Sequence, residues 1–144
     1  MKNLHSKLKK VDYKKVKFKV TKTQHLLIKA KINGVKGNFI LDTGASNSCV
    51  GFESIEYFAL EAESSNTQAS GAGATGMLTQ TASNNQLQLG KWKNKLDLII
   101  FDLSHVNEAL SHYKVKPVHG IIGADILMKG KGIIDYYNHC LYLK

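Results

Sequence analysis

The stretch from Phe39 to Ser46 reads Phe-Ile-Leu-Asp-Thr-Gly-Ala-Ser, and the interpretation of the whole chain depends on it. Its apolar start predicts a strand that delivers Asp42 to a tight turn. Gly44 has no Cβ, so the backbone can approach a second loop closely at this point. Thr43 supplies a hydroxyl that can hold the turn rigid. The Asp-Thr-Gly sequence occurs once in the chain, so the stretch predicts a single carboxylate displayed on a fixed loop.

A β-hairpin is predicted immediately before this loop. Apolar residues alternate with lysines over residues 16–20 and again over residues 28–32, which is the pattern of half-buried strands. Asn33-Gly34 is the dipeptide preferred in two-residue hairpin turns. The strand that returns from this turn, near residues 35–41, leads directly into the Asp-Thr-Gly loop.

The remainder of the chain predicts a mostly β domain, barrel-like or sandwich-like. The predicted elements are strands over residues 77–89 and 92–101, a short helix or ordered loop over 104–113, and a terminal β-hairpin over 133–143. Residues 120–128 read as a buried strand that passes into a short helix, which Gly130 and Gly132 end. Residues 1–15 are expected to form a basic lead, flexible or weakly helical, ahead of one domain over residues 16–144.

Composition and cysteine usage favour a cytoplasmic protein. The chain has 144 residues and lacks an apolar run near the roughly 20 residues that span a membrane. The N-terminal residues carry charge without the apolar segment of a signal peptide. Cys49 and Cys140 do not form a Cys-x-x-Cys pair, and both are expected to be reduced and buried.

The positive charge comes from lysine alone. The net charge is +9, and twelve of the twenty lysines lie in the first 36 residues. A basic arm of this kind can bind nucleic acid or simply form a solvated surface. The lack of arginine favours the solvated surface, since arginine is the usual bidentate reader of phosphate and guanine.

A run of small residues over 70–76, Ser-Gly-Ala-Gly-Ala-Thr-Gly, lies between two predicted strands. One interpretation is an ordinary flexible loop or linker. The other is a mobile flap that closes over a substrate cleft, and the upstream Asp42 favours the flap. Gly71, Gly73 and Gly76 also fit a Gly-x-Gly-x-x-Gly pattern, but the sequence lacks the βαβ unit that a dinucleotide site needs.

The order of Asp-Thr-Gly loop, Gly-rich loop, Ile121-Ile122-Gly123 and short helix resembles the retropepsin-like aspartic proteases of clan AA, above all their bacterial single-domain members. The resemblance extends from about Lys22 to Leu143. It implies a closed barrel with one short C-terminal helix, forming half of a two-fold dimer. It also implies hydrolysis of polypeptides without a cofactor.

The resemblance assigns roles to individual residues. Asp42 is implied to be catalytic, with Thr43 and Gly44 holding its loop. The substrate-binding flap is implied to contain four small residues, Gly71, Ala72, Gly73 and Ala74. The strand with Ile121, Ile122 and Gly123 is implied to pass the catalytic loop in a ψ-shaped crossing. No metal site is expected, because the six histidines lack ligand spacing.

This chemistry needs two carboxyls that share one proton. No other aspartate is followed by Thr/Ser-Gly, so the second is expected from Asp42 of another subunit in a homodimer. Ser46 and Ala124 stand where viral relatives have an Asp and an Arg that pair. Asp125 is expected to be a helix-terminal or structural residue. The alternative is a non-catalytic module on the same fold that binds a peptide or protein.

Overall fold

The computed structural model describes residues 3–71 and 74–144, and for residues 65–71 and 74–78 it describes the backbone alone. The described elements are, in chain order, α1 (Leu4–Lys9), β1 (Lys14–Val20), β2 (Leu26–Ile32), β3 (Val35–Leu41), β4 (Cys49–Val50), α2 (Ser54–Tyr57), β5 (Glu63–Gly71), β6 (Ala74–Leu89), β7 (Trp92–Ile100), α3 (Ser104–Ser111), β8 (Gly120–Ile122), α4 (Ala124–Lys129), β9 (Ile133–Asp135) and β10 (Cys140–Leu143). None of the helices in these ranges is long and apolar enough to cross a membrane.

Six of the strands close into a barrel. The strands run in the order β6-β7-β4-β8-β3-β2, and an additional pairing of β2 with β6 completes the circle. Closure removes two edges that would otherwise expose unpaired backbone groups. β5 extends the sheet beyond β6, and β1, β10 and β9 extend it beyond β2. The barrel therefore forms a closed base from which the loop after β3 projects.

The hairpin predicted before the Asp-Thr-Gly loop is confirmed. β2 and β3 pair antiparallel along their full lengths, from Leu26 opposite Leu41 to Ile32 opposite Val35. Asn33 and Gly34 both have positive φ, 52° and 82°, as a type I′ turn requires. This turn matches the twist of the strands and fixes their register.

The β1 strand departs from its predicted pattern at one end. Val16 and Phe18 are buried as expected, whereas Val20 is 38% exposed. β1 pairs with β10 over residues 14–17 and then with β2 over residues 18–20. Val20 is the last residue of this second pairing, where little of the barrel covers it.

The bounds of β5 were not predicted. Its residues, Glu63 to Gly71, are polar or small, and the sequence indicated only an unbounded strand ahead of the 70–76 run. β5 pairs with β6 as the last strand of the sheet. Because backbone hydrogen bonds to one neighbour form this ladder, the strand does not need the apolar alternation of a buried element.

The core fills the barrel and a smaller region beside it. The alternating residues of β7, Leu96, Leu98 and Ile100, are at most 2% exposed and belong to the main cluster. A second cluster lies beneath α3 and includes Leu103 and Leu110. Both cysteines are buried and free, as expected.

Candidate active site

Asp42 is the first residue after β3, and its own loop holds it in place. Its backbone N–H donates to the carbonyl oxygen of Ile122 at 3.0 Å, and its carbonyl accepts from the N–H of Ala45 at 3.2 Å. The carboxylate Oδ1 accepts the N–H of Gly44 at 2.8 Å. Oδ2 has no hydrogen-bond partner among the described residues, and the side chain is exposed. One carboxylate oxygen is therefore fixed and the other is available.

Thr43 and Gly44 form the exposed turn beside this carboxylate. The hydroxyl of Thr43 makes no hydrogen bond with a described residue of the same chain. A Cβ on Gly44 would meet only Asp42 Oδ1, at 3.2 Å. The turn consequently presents a hydroxyl and a bare backbone on the same exposed surface as the carboxylate.

β8 crosses between the two strands that flank the Asp-Thr-Gly loop. It pairs parallel with β3, Ile40 lying opposite Ile121 and Leu41 opposite Ile122. It pairs antiparallel with β4, Cys49 lying opposite Ile121. Since β3 and β4 are joined by the loop yet separated by β8, the three strands form a ψ-shaped arrangement.

Two glycines allow the backbones to approach at this crossing. A Cβ on Gly120 would overlap the carbonyl oxygen of Cys49. A Cβ on Gly123 would lie 2.5 Å from the carbonyl oxygen of Ala45. That same oxygen accepts the N–H of Ala124 at 2.7 Å. The crossing therefore requires glycine at positions 120 and 123 for space.

Ser48 and Asp125 connect the end of the loop to the start of α4. The hydroxyl of Ser48 donates to Asp125 Oδ1 at 2.8 Å, and its backbone N–H donates to Asp125 Oδ2 at 3.0 Å. The same hydroxyl oxygen accepts the N–H of Gly123 at 2.9 Å. Ser48 is fully buried. This network links the end of the Asp-Thr-Gly loop to the residues that follow β8. It gives Asp125 the structural position that the sequence suggested.

Ser48 was missed in the sequence. It lies 77 residues from Asp125, so no local pattern could indicate their contact. The only signal is a small polar residue directly before the buried pair Cys49-Val50, which does not by itself distinguish a network from a strand end.

Cys49 lies next to this network without contributing reactive chemistry. Burial raises the pKa of its thiol to about 12, although the backbone of Ile121 opposes the shift by hydrogen bonding. The thiol is accordingly protonated near neutral pH and is a poor nucleophile. Among the described residues, no three His, Cys, Asp or Glu side chains are grouped to hold a metal ion.

The flap predicted at residues 71–74 falls on the hairpin of β5 and β6. Gly71 pairs with Ala74, and these are the described residues on either side of positions 72 and 73. Ala72 and Gly73 lie outside the described residues.

Comparison with known proteins agrees with this geometry. A family model described as aspartyl protease matches residues 28–126, more than half of the chain, including the loop and the crossing. The chain belongs to the aspartyl protease family. No curated protein matches this aspartyl protease family member significantly in sequence.

Three solved structures of similar fold have low sequence identity to the chain. A retropepsin-like aspartic protease from Rickettsia conorii is 18% identical with a TM-score of 0.62, over 92% of this chain and 91% of that one. The retroviral protease-like domain of Ddi1 from Leishmania major is 19% identical with a TM-score of 0.59, over 88% and 90%. EIAV protease, complexed with the inhibitor HBY-793, is 21% identical with a TM-score of 0.54, over 72% and 85%. The predicted retropepsin-like closed barrel is thereby confirmed.

Proposed function

We propose that the chain is an aspartic endopeptidase that works as a homodimer, with Asp42 of each subunit at one shared site. The observation that carries this proposal is the exposed carboxylate of Asp42, fixed through Oδ1 by its own loop and unpartnered at Oδ2 among the described residues. The peptidase domain would comprise residues 16–144, with residues 1–15 preceding it as a basic lead.

The proposed reaction needs the two carboxyls about 3 Å apart, where they share one proton because both cannot readily ionise together. The ionised carboxylate takes a proton from a water molecule, and the water oxygen attacks the peptide carbonyl carbon. The protonated carboxyl gives its proton to the carbonyl oxygen. When the tetrahedral intermediate collapses, the C–N bond breaks and the leaving nitrogen receives a proton. No covalent bond to the enzyme forms.

The residues next to Asp42 suit a two-fold contact. A symmetric dimer brings identical surfaces together, so each Gly44 and Thr43 would face its counterpart. Gly44 lets the two loops approach, and the exposed Thr43 hydroxyl is available to bond across the axis. Ser46 and Ala124 are both uncharged, so neither would place an unpaired charge in this part of the contact.

The proposed substrate is an extended polypeptide lying between the two Asp42 loops and beneath the β5–β6 hairpins. An extended chain exposes its own backbone donors and acceptors, which strands and flaps can pair. Residues Gly71, Ala72, Gly73 and Ala74 are proposed to contact the substrate, because small side chains allow the flap backbone to come close.

A second candidate is a non-catalytic module that binds a peptide or protein on the same fold. The observation in its favour is that one chain contains a complete barrel core but only one suitable carboxylate. As a monomer, it could bind an extended chain without cutting it.

Cleavage of a mixed peptide library between about pH 4 and 7 separates the two candidates. The library is incubated with concentrated wild type, Asp42→Asn and the control Asp12→Asn, which alters an exposed aspartate remote in sequence from the loop. We expect cleavage by wild type and Asp12→Asn, and none by Asp42→Asn. A wild-type dimer that leaves the library intact would instead support the binding module.

A further inference from the structure

A groove of about 530 Å³ lies across the outer faces of β3, β2 and β6. Its polar lining consists of three lysines and four other side chains, namely Lys29, Lys31, Lys36, Asn38, Gln88, Tyr57 and His119. Its volume is in the range of small-molecule sites. Its described lining includes none of Asp42, Thr43 and Gly44, and we refer to it as the lysine groove.

The three lysines of the lysine groove are held on one face of the sheet. Lys31 and Lys36 are direct cross-strand partners, and Lys29 lies two residues before Lys31, on the same side of β2. Like charges directly opposite each other on antiparallel strands repel. Lys31 is also half-buried, so water screens its charge less completely than at an open surface.

No acidic residue in the part of the chain that the structure describes lines the lysine groove to offset this repulsion. None of the described residues forms an ion pair with Lys29, Lys31 or Lys36. Three ammonium groups without an internal counter-charge make the groove complementary to an anion. The fold accepts this arrangement although a single exchange of lysine for a neutral residue would relieve it.

One wall of the lysine groove is preformed. The rings of Tyr57 and His119 stack with centroids 4.7 Å apart and an interplanar angle of 9°. The hydroxyl of Tyr57 donates to the carbonyl oxygen of Lys36 at 2.7 Å. The backbone N–H of Asn38 donates to His119 Nδ1 at 3.0 Å, so the neutral ring carries its proton on Nε2 and can donate to a ligand. A fixed wall lowers the entropic cost of binding.

We propose that the lysine groove binds a diphosphate group, either free or as part of a nucleoside diphosphate. Lysine ammonium groups bind phosphate oxygens as compact point charges. A diphosphate concentrates several negative charges within a volume that three neighbouring lysines can surround. An acidic peptide spreads its charges along an extended chain and would leave part of the cluster unmatched.

The first test is calorimetric titration of the full chain with pyrophosphate at low ionic strength. Wild type is compared with Lys31→Gln, Lys36→Gln and Lys7→Gln, which all remove one positive charge. We expect saturable binding that is about tenfold weaker in each groove variant, the effect of losing one charge-assisted hydrogen bond. Lys7 lies in α1, outside the lysine groove, so its variant should bind as wild type does.

Thermal unfolding without ligand gives a second readout. Because the lysines repel each other, Lys31→Gln and Lys36→Gln should melt at a slightly higher temperature than wild type while binding pyrophosphate less well. A lower melting temperature would show that these lysines serve the fold. If Lys7→Gln weakens pyrophosphate binding as much as the groove variants do, the binding reflects only general attraction to a chain of net charge +9, and the proposal is overturned.

Two further ligands identify the source of the anion. Tighter binding of ADP than of pyrophosphate would assign the lysine groove to a nucleoside diphosphate, and equal or weaker binding would assign it to free diphosphate. If a hexaglutamate peptide saturates the groove and pyrophosphate does not, the diphosphate proposal is overturned in favour of an acidic protein segment.

Discussion

Ser48 is the residue through which the Asp-Thr-Gly loop and the β8 crossing are tied together. Its single hydroxyl donates to Asp125 and accepts from Gly123, and it has no exposed surface. Removing a buried hydroxyl that bonds on both sides takes one hydrogen-bond partner from each of two groups. The loss is therefore larger than the net value of one hydrogen bond.

Replacing Ser48 with alanine should destabilise the protein by about 1–3 kcal/mol, because the Gly123 N–H and the Asp125 carboxylate both lose a partner. Urea unfolding measures the difference in free energy. Ser46→Ala is the matched control two residues away, where the side chain is exposed, and it should change stability by less than about 0.5 kcal/mol. Equal losses in the two variants would contradict the network.

Asp135 should make stability depend on pH in the acid range. The side-chain amide of Asn138, followed by its backbone N–H, holds the pKa of the Asp135 carboxyl below its usual range. A carboxyl whose pKa is lower in the folded than in the unfolded protein adds stability at pH values above its unfolded-state pKa. This contribution is lost as the pH falls through the folded-state pKa. The gap in unfolding free energy between wild type and Asp135→Asn should thus narrow as pH drops below about 4.

Asn138→Ala removes the side-chain amide that donates to the Asp135 carboxylate. The gap in unfolding free energy between this variant and wild type should therefore narrow over the same pH range. Chemical denaturation at a series of pH values measures both gaps. A gap that is constant down to about pH 2 would mean that Asn138 does not favour the ionised carboxylate in the folded protein.

At the scale of elements, the ψ-shaped arrangement should be the least tolerant part of the barrel to added volume. Gly120→Ala and Gly123→Ala should each cost about 4 kcal/mol or more, because the new Cβ would collide with backbone carbonyl groups that cannot rotate away. Gly34→Ala is the control, since a Cβ added there would meet no described atom within 4 Å beyond its own chain neighbours. It should cost about 1 kcal/mol for its positive φ alone. Thermal and urea unfolding of the three variants compare these values.

The sequence predicted the elements whose structure follows from short-range patterns of residues. The β2–β3 hairpin was predictable because alternation and Asn33-Gly34 are short-range signals. The bounds of the polar strand β5 were not, because its residues lack the alternation of apolar side chains that marks a half-buried strand. The pairing of β2 with β6 that closes the barrel joins residues far apart in the chain, and no local pattern encodes it.

The same division applies to the candidate site. Asp42 could be singled out because its carboxylate, turn and preceding strand are contiguous in sequence. The contact of Ser48 with Asp125 could not, because β8 and α4 reach the loop only after the chain has folded. The pairing of Lys31 with Lys36 in the lysine groove, by contrast, follows from the register that the predicted Asn33-Gly34 turn sets.

At the scale of the whole molecule, mixing subunits should reveal whether two chains share one site. If half of the wild-type subunits are replaced by Asp42→Asn at constant total concentration, random pairing leaves about one quarter of the dimers with two Asp42 residues. Peptidase activity should then fall to about one quarter. Independent monomers would retain about half, and Asp12→Asn in place of Asp42→Asn should cause no loss.

The strand β10 lies between β1 and β9 of its own chain, so both of its edges are already paired. The sheet of β1, β10 and β9 therefore forms within one chain, without a strand from a second subunit. Assembly of the proposed dimer would then bring together subunits that are already folded, and dissociation would not unfold them. Such an enzyme would respond to its own abundance, with low activity when the chain is scarce and higher activity as synthesis or local crowding raises its concentration.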